Sequence, residues 1–334
     1  MAIDAPFVSG PIPILRQMVE NRYKYTVEDI AFVIPTKDRP QKVKNLLTSL
    51  VDQGLLVGRV IIVATGQDIE ETVTAYSDQL PVEYHHTTQP GQIRQRNLGL
   101  SLLDDRTKLV GCLDDDVVLE SNALAAIVEF WNEAEAETAG VGFNITNDSP
   151  NKHSFFKSLF FSSSPEPGKV LVSGKSTKLT NISSTVRTNW LNGGATIWKQ
   201  SILTSQLHQE VNVRWAIFED AIFSYPIGKH KPFYVCADAH VRHEHVFDHT
   251  AKQDHAFYGK NKILWQYYFV ISNKDLSLAA FYWSVVGGIV AKTMTGFGFR
   301  KHKMQETIGE LQGVLKVTRH LFSSRDIKDL LENG

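Results

Sequence analysis

The stretch KLVGCLDDD, Lys108–Asp116, joins an apolar run to three consecutive aspartates. The lead-in has the composition of a buried β-strand. Two bare carboxylates about 4 Å apart repel by roughly 4 kcal/mol at an effective dielectric near 20. Acids serving only solubility would sit in a turn or on a helix face. Acids gathered at the end of a buried strand call for a counter-charge. Residues two apart on a strand face the same way, so Asp114 and Asp116 converge while Asp115 turns aside. Mg²⁺ or Mn²⁺ takes hard oxygen ligands, usually one or two carboxylates plus substrate phosphates. The plainer alternative is a solvated acidic turn with no ligand.

Working outward, the first half alternates strand and helix signals. Asp29–Ile34 is a short β-rich run ending at Pro35. Gln41–Gln53 carries Val43, Leu46, Leu47, Leu50 and Val51 at helical spacing. Arg59–Ala64 reads as a second strand stopped by Gly66, and Asp68–Gln79 as a weaker helix. Pro81–His86 is a third strand, and Gly91–Leu103 a helix with a glycine-marked start. After the aspartates, Asn122–Ala136 reads as a helix capped by Ser121. Strands separated by single helices predict parallel pairing and right-handed crossovers. Ligands of open α/β sheets bind outside the carboxyl ends of the strands, which brings PTKDRP (Pro35–Pro40) and the aspartates into one crevice. Asn144–Lys178, rich in Ser, Lys, Asn, Pro and Gly around FFKSLFF, reads as a long mobile loop or insertion. From Ala251 the pattern is helical to the end.

Composition bounds the function. The chain has 334 residues, 43% apolar, with a net charge of −1. That builds one large domain, or one with an appendage, and offers no global field for nucleic acid. The two cysteines, Cys112 and Cys236, lie inside apolar runs, which fits a reducing compartment and no disulfide framework. The first residues hold an early acid and no basic stretch, so no signal peptide is expected. The longest apolar run, Leu276–Ala291, has sixteen residues, short of the about 20 that span a bilayer.

Five motifs stand in order over about two thirds of the chain: IPTKDRP (34–40), GQIRQRNLGL (91–100), DDD (114–116), WLNGGATIW (190–198) and FEDAIFSYPIGK (218–229). In that order they resemble the inverting glycosyltransferases of the GT-A fold, family 2. The resemblance implies an α/β fold, a Rossmann-like, mostly parallel sheet sandwiched by helices. It implies a catalytic domain over residues 1–250 and a C-terminal helical appendage over 251–334. It implies transfer of a sugar from a nucleotide diphosphate donor to a glycan or glycolipid acceptor. Donor-binding residues would be Pro35, Thr36, Asp38, Arg39, Gln67, Arg94, Arg96, Asn97, Asp114 and Asp115. Asp116 and His243 would hold Mn²⁺ or Mg²⁺, with His245 the alternative to His243. Trp190, Asn192, Gly193, Gly194 and Glu219 would border the acceptor, and Asp220 would take the acceptor proton. The chemistry suits these residue types. Metal charge stabilises a leaving diphosphate, arginine adds charge-assisted hydrogen bonds, and burial lifts a carboxylate toward a useful pKa.

Each residue has a simpler reading. Arg96 can pair with Asp104 or Asp105. Asp220 can be a helix N-cap, with Glu219 complementing the dipole. Thr36, Asp38 and Arg39 can be a strand-to-helix turn. The histidines of Ala237–His255 can be a surface run, or a zinc site lacking the usual cysteine pair. One departure from the family stands out. Its acidic residue after the second strand is replaced here by VATGQD (63–68), which leaves the nucleotide base to Gln67 or to backbone groups. Uridine, thymidine and guanosine donors all stay open. The apolar stretch from Ala279, followed by Lys292, Arg300, Lys301, His302 and Lys303, predicts a membrane-facing surface; a core helix pair with a basic turn is the alternative. The family implies a bacterial type of enzyme, cytoplasmic and peripheral to the membrane, in surface polysaccharide synthesis. The rival is a GT-A-like protein that binds a nucleotide sugar or glycan without turnover, against which the retained Asp220 argues. A nucleotidyltransferase would carry a glycine-rich loop, and IPTKDRP has no glycine.

Overall fold

The structure is a computed structural model and describes residues 24–205, 207–208, 210, 217–244, 254–294, 301–323 and 326–332. β1 (Ile30–Lys37), β2 (Arg59–Thr65), β3 (Val82–His86) and β4 (Leu109–Leu113) alternate with α1 (Pro40–Val51), α2 (Glu70–Thr74) and α3 (Gln92–Ser101). Then follow β5 (Val117–Leu119), α4 (Ala123–Glu133), β6 (Gly140–Ile145), α5 (Phe155–Ser158), β7 (Val186–Thr188), β8 (Ala195–Lys199) and α6 (Gln200–Ser205). α7 (Glu219–Gly228) and β9 (Phe233–His243) complete the sheet region. The C-terminal helices are α8 (His255–Ile271), α9 (Leu278–Met294), α10 (Lys301–Leu321) and α11 (Ile327–Glu332).

The strands form one sheet in the order β3-β2-β1-β4-β8-β6-β9-β5, with β7 also on β9. β1 pairs parallel with β2 and β4, and β3 extends the parallel set beyond β2. The chain thus builds outward from β1 and then returns to its other side. A crevice opens where the strand order reverses. Pairing of β1 with β4 stops at Val33 and Cys112, whereas pairing with β2 continues to Lys37 and Thr65. Pro35 has no N–H to donate and lies past the last β4 pair, where none is needed. That unpaired edge of β1 is one wall of the crevice.

β8 enters antiparallel between β4 and β6, a reversal that strand–helix alternation does not foretell. β9 runs parallel to β6. The register shifts between Phe143 and Asn144, whose partners on β9 are Cys236 and His240. The extra residues bend β9 and carry His243 to Val117 of β5, next to the aspartates.

Side chains alternate across the sheet. Ile30, Phe32 and Ile34 face a core with Leu46, Leu47, Leu50, Ile127 and Trp131. Val33, Val110 and Cys112 face the other side, with Leu100, Phe223 and Phe233. Both faces being covered explains the near-continuous apolar runs. A third cluster, including Ile263, Leu264, Tyr267, Phe281, Val285 and Val317, belongs to the C-terminal helices, and Phe218 and Ile222 pack against it.

Three local expectations change. The helix expected over Asp68–Gln79 is confined to Glu70–Thr74. α4 is not capped by Ser121; Asn122 precedes it in the left-handed region, φ 64°, with no side-chain cap. The segment after β6 has little regular structure, yet side chains satisfy its backbone. Asn144 Nδ2 donates to the carbonyls of Ile182 (3.0 Å) and Ala237 (2.9 Å), and Thr188 Oγ1 donates to that of Gly168 (2.7 Å). Among the described residues, no helix is long and apolar enough to cross a membrane.

Candidate active site

The ends of β1 and β4 open on a cavity of about 670 Å³, lined by Pro35, Thr36, Lys37, Arg39, Pro90, Gly91, Gln92, Gln95, Asp114, Asp115, Asp116 and His243. The aspartates follow β4 directly, and strand alternation gives each a different partner. Asp114 Oδ1 accepts from Gln92 Nε2 (2.7 Å) and Arg96 Nη2 (3.1 Å). Asp115 is buried and accepts from Thr36 Oγ1 (2.7 Å) and Arg39 Nη1 (3.0 Å). Burial pushes its carboxyl up, and the Thr36 and Arg39 contacts only partly oppose this. Asp116 Oδ1 lies 2.8 Å from His243 Nε2, and its Oδ2 lies 3.6 Å from Arg39. For the His243 imidazole, burial works downward, but the bond and charge of Asp116 win and hold its pKa up.

One ligand-type atom each from Asp114, Asp116 and His243 falls within 4.8 Å of the others. Two carboxylate oxygens and an imidazole nitrogen form a donor set suited to Mn²⁺ and its neighbours, with Mg²⁺ favouring the oxygens. The local charge also fits a cation. The five carboxyls of Asp114, Asp115, Asp116, Glu219 and Asp220 gather around Arg39 and Arg96, with Lys37 at the cavity wall. His245 lies outside the described residues, as does Arg300.

A second carboxylate pair stands behind Asp114. Phe218 precedes α7 in the left-handed region, φ 68°. That conformation costs a bulky residue about 1–2 kcal/mol. Packing of Phe218 against the C-terminal helices offsets the cost. Glu219 and Asp220 then occupy the first turn. Arg96 Nη1 sits 3.5 Å from Glu219 Oε1, and the arginine side chain is only 1% exposed. Burial alone would lower its pKa, but Asp114 and Glu219 raise it above the ordinary value, so it stays charged. One cation cannot balance three acids. Burial pushes Glu219 up to about 7 despite Arg96, and raises Asp220 despite the Gly193 N–H it accepts.

The glycine pair before β8 makes this crowding possible. A Cβ on Gly193 would lie 2.6 Å from Asp220 Oδ1. One on Gly194 would lie 2.6 Å from Asp114 Oδ1 and closer still to Oδ2. The Asp114 N–H donates to the Gly194 carbonyl at 2.8 Å. Only a residue without a side chain lets the backbone lie against both carboxylates.

Other expected residues fall in different places. Asp38 is left-handed (φ 56°), and its Oδ1 accepts the Gln67 N–H at 2.7 Å, tying the ends of β1 and β2. Arg96, expected at the diphosphate, lies behind Asp114 with almost no exposed surface. Its charge acts through Asp114 and Glu219, not through Asp104, which pairs with Arg106. Arg94 and Asn97 turn away from the cavity. Arg94 Nε donates to Glu210 Oε2 (3.2 Å), and Asn97 Nδ2 to the His208 carbonyl (2.8 Å). Residues two apart on a helix point about 200° apart. That separates Arg94 from Gln92 and Asn97 from Gln95. Trp190 packs near Val170 and Tyr225, with its indole N–H buried and unpartnered, and Asn192 is half-buried. Two glutamines were not anticipated. Gln92 holds Asp114, and Gln95 Nε2 donates to the carbonyls of Thr36 and Val63, both at 2.7 Å, clipping β1 to β2. The available signal was spacing, since Gln92, Arg96 and Gly99 share one face of α3.

Residues 31–185 match the model of glycosyl transferase family 2. Over that stretch, just under half of the chain, the sequence is that of a family 2-like glycosyltransferase. The match takes in β1 to β4 and the three aspartates; Gly193, Gly194, Asp220 and His243 lie beyond it. Residues 1–349 of S. aureus TarS share 15% identity with this glycosyltransferase, over 87% of this chain and 82% of that one, with a TM-score of 0.51. The mannosyltransferase PcManGT from Pyrobaculum calidifontis, solved with GDP-Man and Mn²⁺, shares 12% over 94% and 95%, with a TM-score of 0.52. TarS 1–349 in complex with UDP-GlcNAc aligns at 15% identity over 87% and 83%, with a TM-score of 0.50. At such identities the likeness is one of fold, and the fold is GT-A. Among curated proteins none matches the sequence. The expected fold class and the expectation of a glycosyltransferase both hold.

Proposed function

We propose that this glycosyltransferase moves a sugar, with inversion, from a nucleotide diphosphate to a hydroxyl of a glycan or lipid-linked acceptor, with Mn²⁺ or Mg²⁺ held by Asp114, Asp116 and His243. The observation that carries this reading is the convergence of those three side chains at a cavity with surplus negative charge. PcManGT, bound to GDP-Man and Mn²⁺, and TarS, bound to UDP-GlcNAc, lend it support as proteins of like fold. The bound ion would supply Lewis-acid charge to the leaving diphosphate.

The chain's own residues divide the remaining work. Lys37 and Arg39, at the cavity wall, offer charge-assisted hydrogen bonds to the diphosphate. Pro35 and Thr36, with Asp38 and Gln67 beside them, carry the nucleoside at the ends of β1 and β2. Arg96 positions Asp114 and Glu219 from behind. Asp220 takes the proton from the attacking acceptor hydroxyl, and its raised pKa suits a general base. Trp190, Asn192, Gly193 and Gly194 shape the acceptor side. Residues 1–250 form the catalytic unit. The helices from 251 form an appendage that seats the enzyme at the cytoplasmic face of a membrane, where surface polysaccharide or glycolipid is built. Exposed Trp283 and Val286 on α9 support that placement.

The test is a thermal-shift screen of UDP, GDP and TDP, each with and without Mn²⁺. The proposal expects one base to stabilise the chain only with the metal, by about 2.7 kcal/mol at a hundredfold excess over Kd. If no nucleotide diphosphate shows metal-dependent stabilisation, the reading fails.

A further inference from the structure

α10 has an apolar face that nothing in the described chain covers. Met304, Ile308, Leu311 and Leu315 recur every three or four residues, each 43–58% exposed, and Phe322 continues the row at 87%. At 1.5 Å per residue the row is about 27 Å long. The opposite face is packed onto α8. A Cβ on Gly313 would lie 2.8 Å from Ile263 Cβ, and Gly309 presses on the Ala256 backbone. Both acids of α10 also turn inward. Glu306 meets Lys292 at 2.8 Å and Lys262 at 3.5 Å; Glu310 meets Lys292 at 2.9 Å and Lys262 at 3.2 Å. The other permanent charges in the sequence of the helix, Lys301, Lys303, Lys316 and Arg319, are all positive.

This arrangement discriminates between occupants. The three-and-four spacing would also suit a coiled coil with a second copy. The positions flanking the row, however, are Gln305, Gln312 and Arg319 on one side and Thr307, Val314 and Leu321 on the other. They offer no opposite charges to fix a partner helix, and two copies would bring like charges together. An apolar row whose borders carry no acid, on a helix whose outward permanent charges are cations, is complementary to an anionic lipid surface.

We propose that α10 lies flat on an anionic bilayer, with Met304, Ile308, Leu311, Leu315 and Phe322 at the boundary of headgroups and acyl chains. This rests on the membrane placement proposed above and names the face that does it. It moves the contact from the α9 stretch to α10. Much of α9 is committed to the core, with Phe281, Ser284 and Val285 buried.

The experiment is sedimentation of the full chain with phosphatidylcholine vesicles, with and without about one third phosphatidylglycerol. The full chain is expected to sediment with the anionic vesicles only, and less so as salt rises. The double variant Ile308→Glu, Leu315→Glu is expected to bind those vesicles at least tenfold more weakly while keeping wild-type nucleotide diphosphate affinity, which reports an intact fold. Wild-type binding by that variant, with loss instead in Phe155→Ser, Phe156→Ser, overturns the α10 face but leaves the membrane placement standing. A wild-type chain that ignores both vesicle types overturns both. A wild-type dimer that the double variant splits assigns the face to a second copy and overturns the proposal.

Discussion

Gly194→Ala should disable the metal centre by pushing Asp114 out of place. The added Cβ would stand 2.6 Å from Asp114 Oδ1, where ordinary contact begins at 3.4 Å, so the carboxylate must retreat by about 0.8 Å or more. Metal–ligand distances tolerate about 0.2 Å, so the shift is several times what coordination allows. The retreat also strains the bonds from Gln92 (2.7 Å) and Arg96 (3.1 Å), and a hydrogen bond to a charged group is worth about 1.5–3 kcal/mol. Overpacking of this kind costs about 1–3 kcal/mol of stability. Because Asp114 sits at the cavity wall and can swing outward, the fold should survive. Calorimetric titration with a nucleotide diphosphate, with and without Mn²⁺, should show metal-dependent affinity falling by about 10–100-fold. Metal-independent affinity should stay within a few-fold. Wild-type metal-dependent affinity in a folded Gly194→Ala chain would refute the reasoning.

The carboxylate pair on α7 gives two further predictions. Asp220→Asn should lower kcat by about 10²–10⁴-fold with little change in donor Kd, and Glu219→Gln should cost less; the reverse order, from transfer rates on both variants, would move the base to Glu219. Glu219, pushed up to about 7 from 4.5, holds a proton in the folded chain that the unfolded chain has already lost between those values. The metal-free protein should therefore lose stability as pH rises through about 7, by up to roughly 3 kcal/mol from this group, and Glu219→Gln should remove that part of the slope. Denaturant unfolding of both chains from pH 4 to 8 checks this, and a pH-independent difference between them would contradict it.

What the sequence revealed was local. A β-rich run ended by Pro35 and another ended by the aspartates place two strand termini side by side by rules that act over a few residues. Strand alternation likewise separates Asp115, bonded to Thr36 and Arg39, from Asp114 and Asp116. The illegible parts depend on distant packing. His243 reaches Asp116 because three extra residues of β9, Ala237, Asp238 and Ala239, are taken up in a register shift against β6, which neither strand announces alone. The reversed β8 is invisible for the same reason, although the Gly193–Gly194 pair marked its approach. Gln95 drew no reading from the sequence, because nothing local shows that its amide meets two strand-end carbonyls. Arg94 and Arg96 looked alike until the helix phase separated them. In the C-terminal third the apolar pattern was plain, but which face is spent on α8 and which is exposed is a property of packing.

The most direct test of the metal site is a Mn²⁺ titration followed by the ion's electron paramagnetic resonance signal, in the presence of the nucleotide diphosphate that stabilises the chain. The account predicts that the wild-type protein removes one Mn²⁺ per chain from the free pool, and that Asp116→Asn and His243→Ala leave that ion free while their unfolding midpoints stay near wild type. Full Mn²⁺ uptake by a folded Asp116→Asn chain would contradict it.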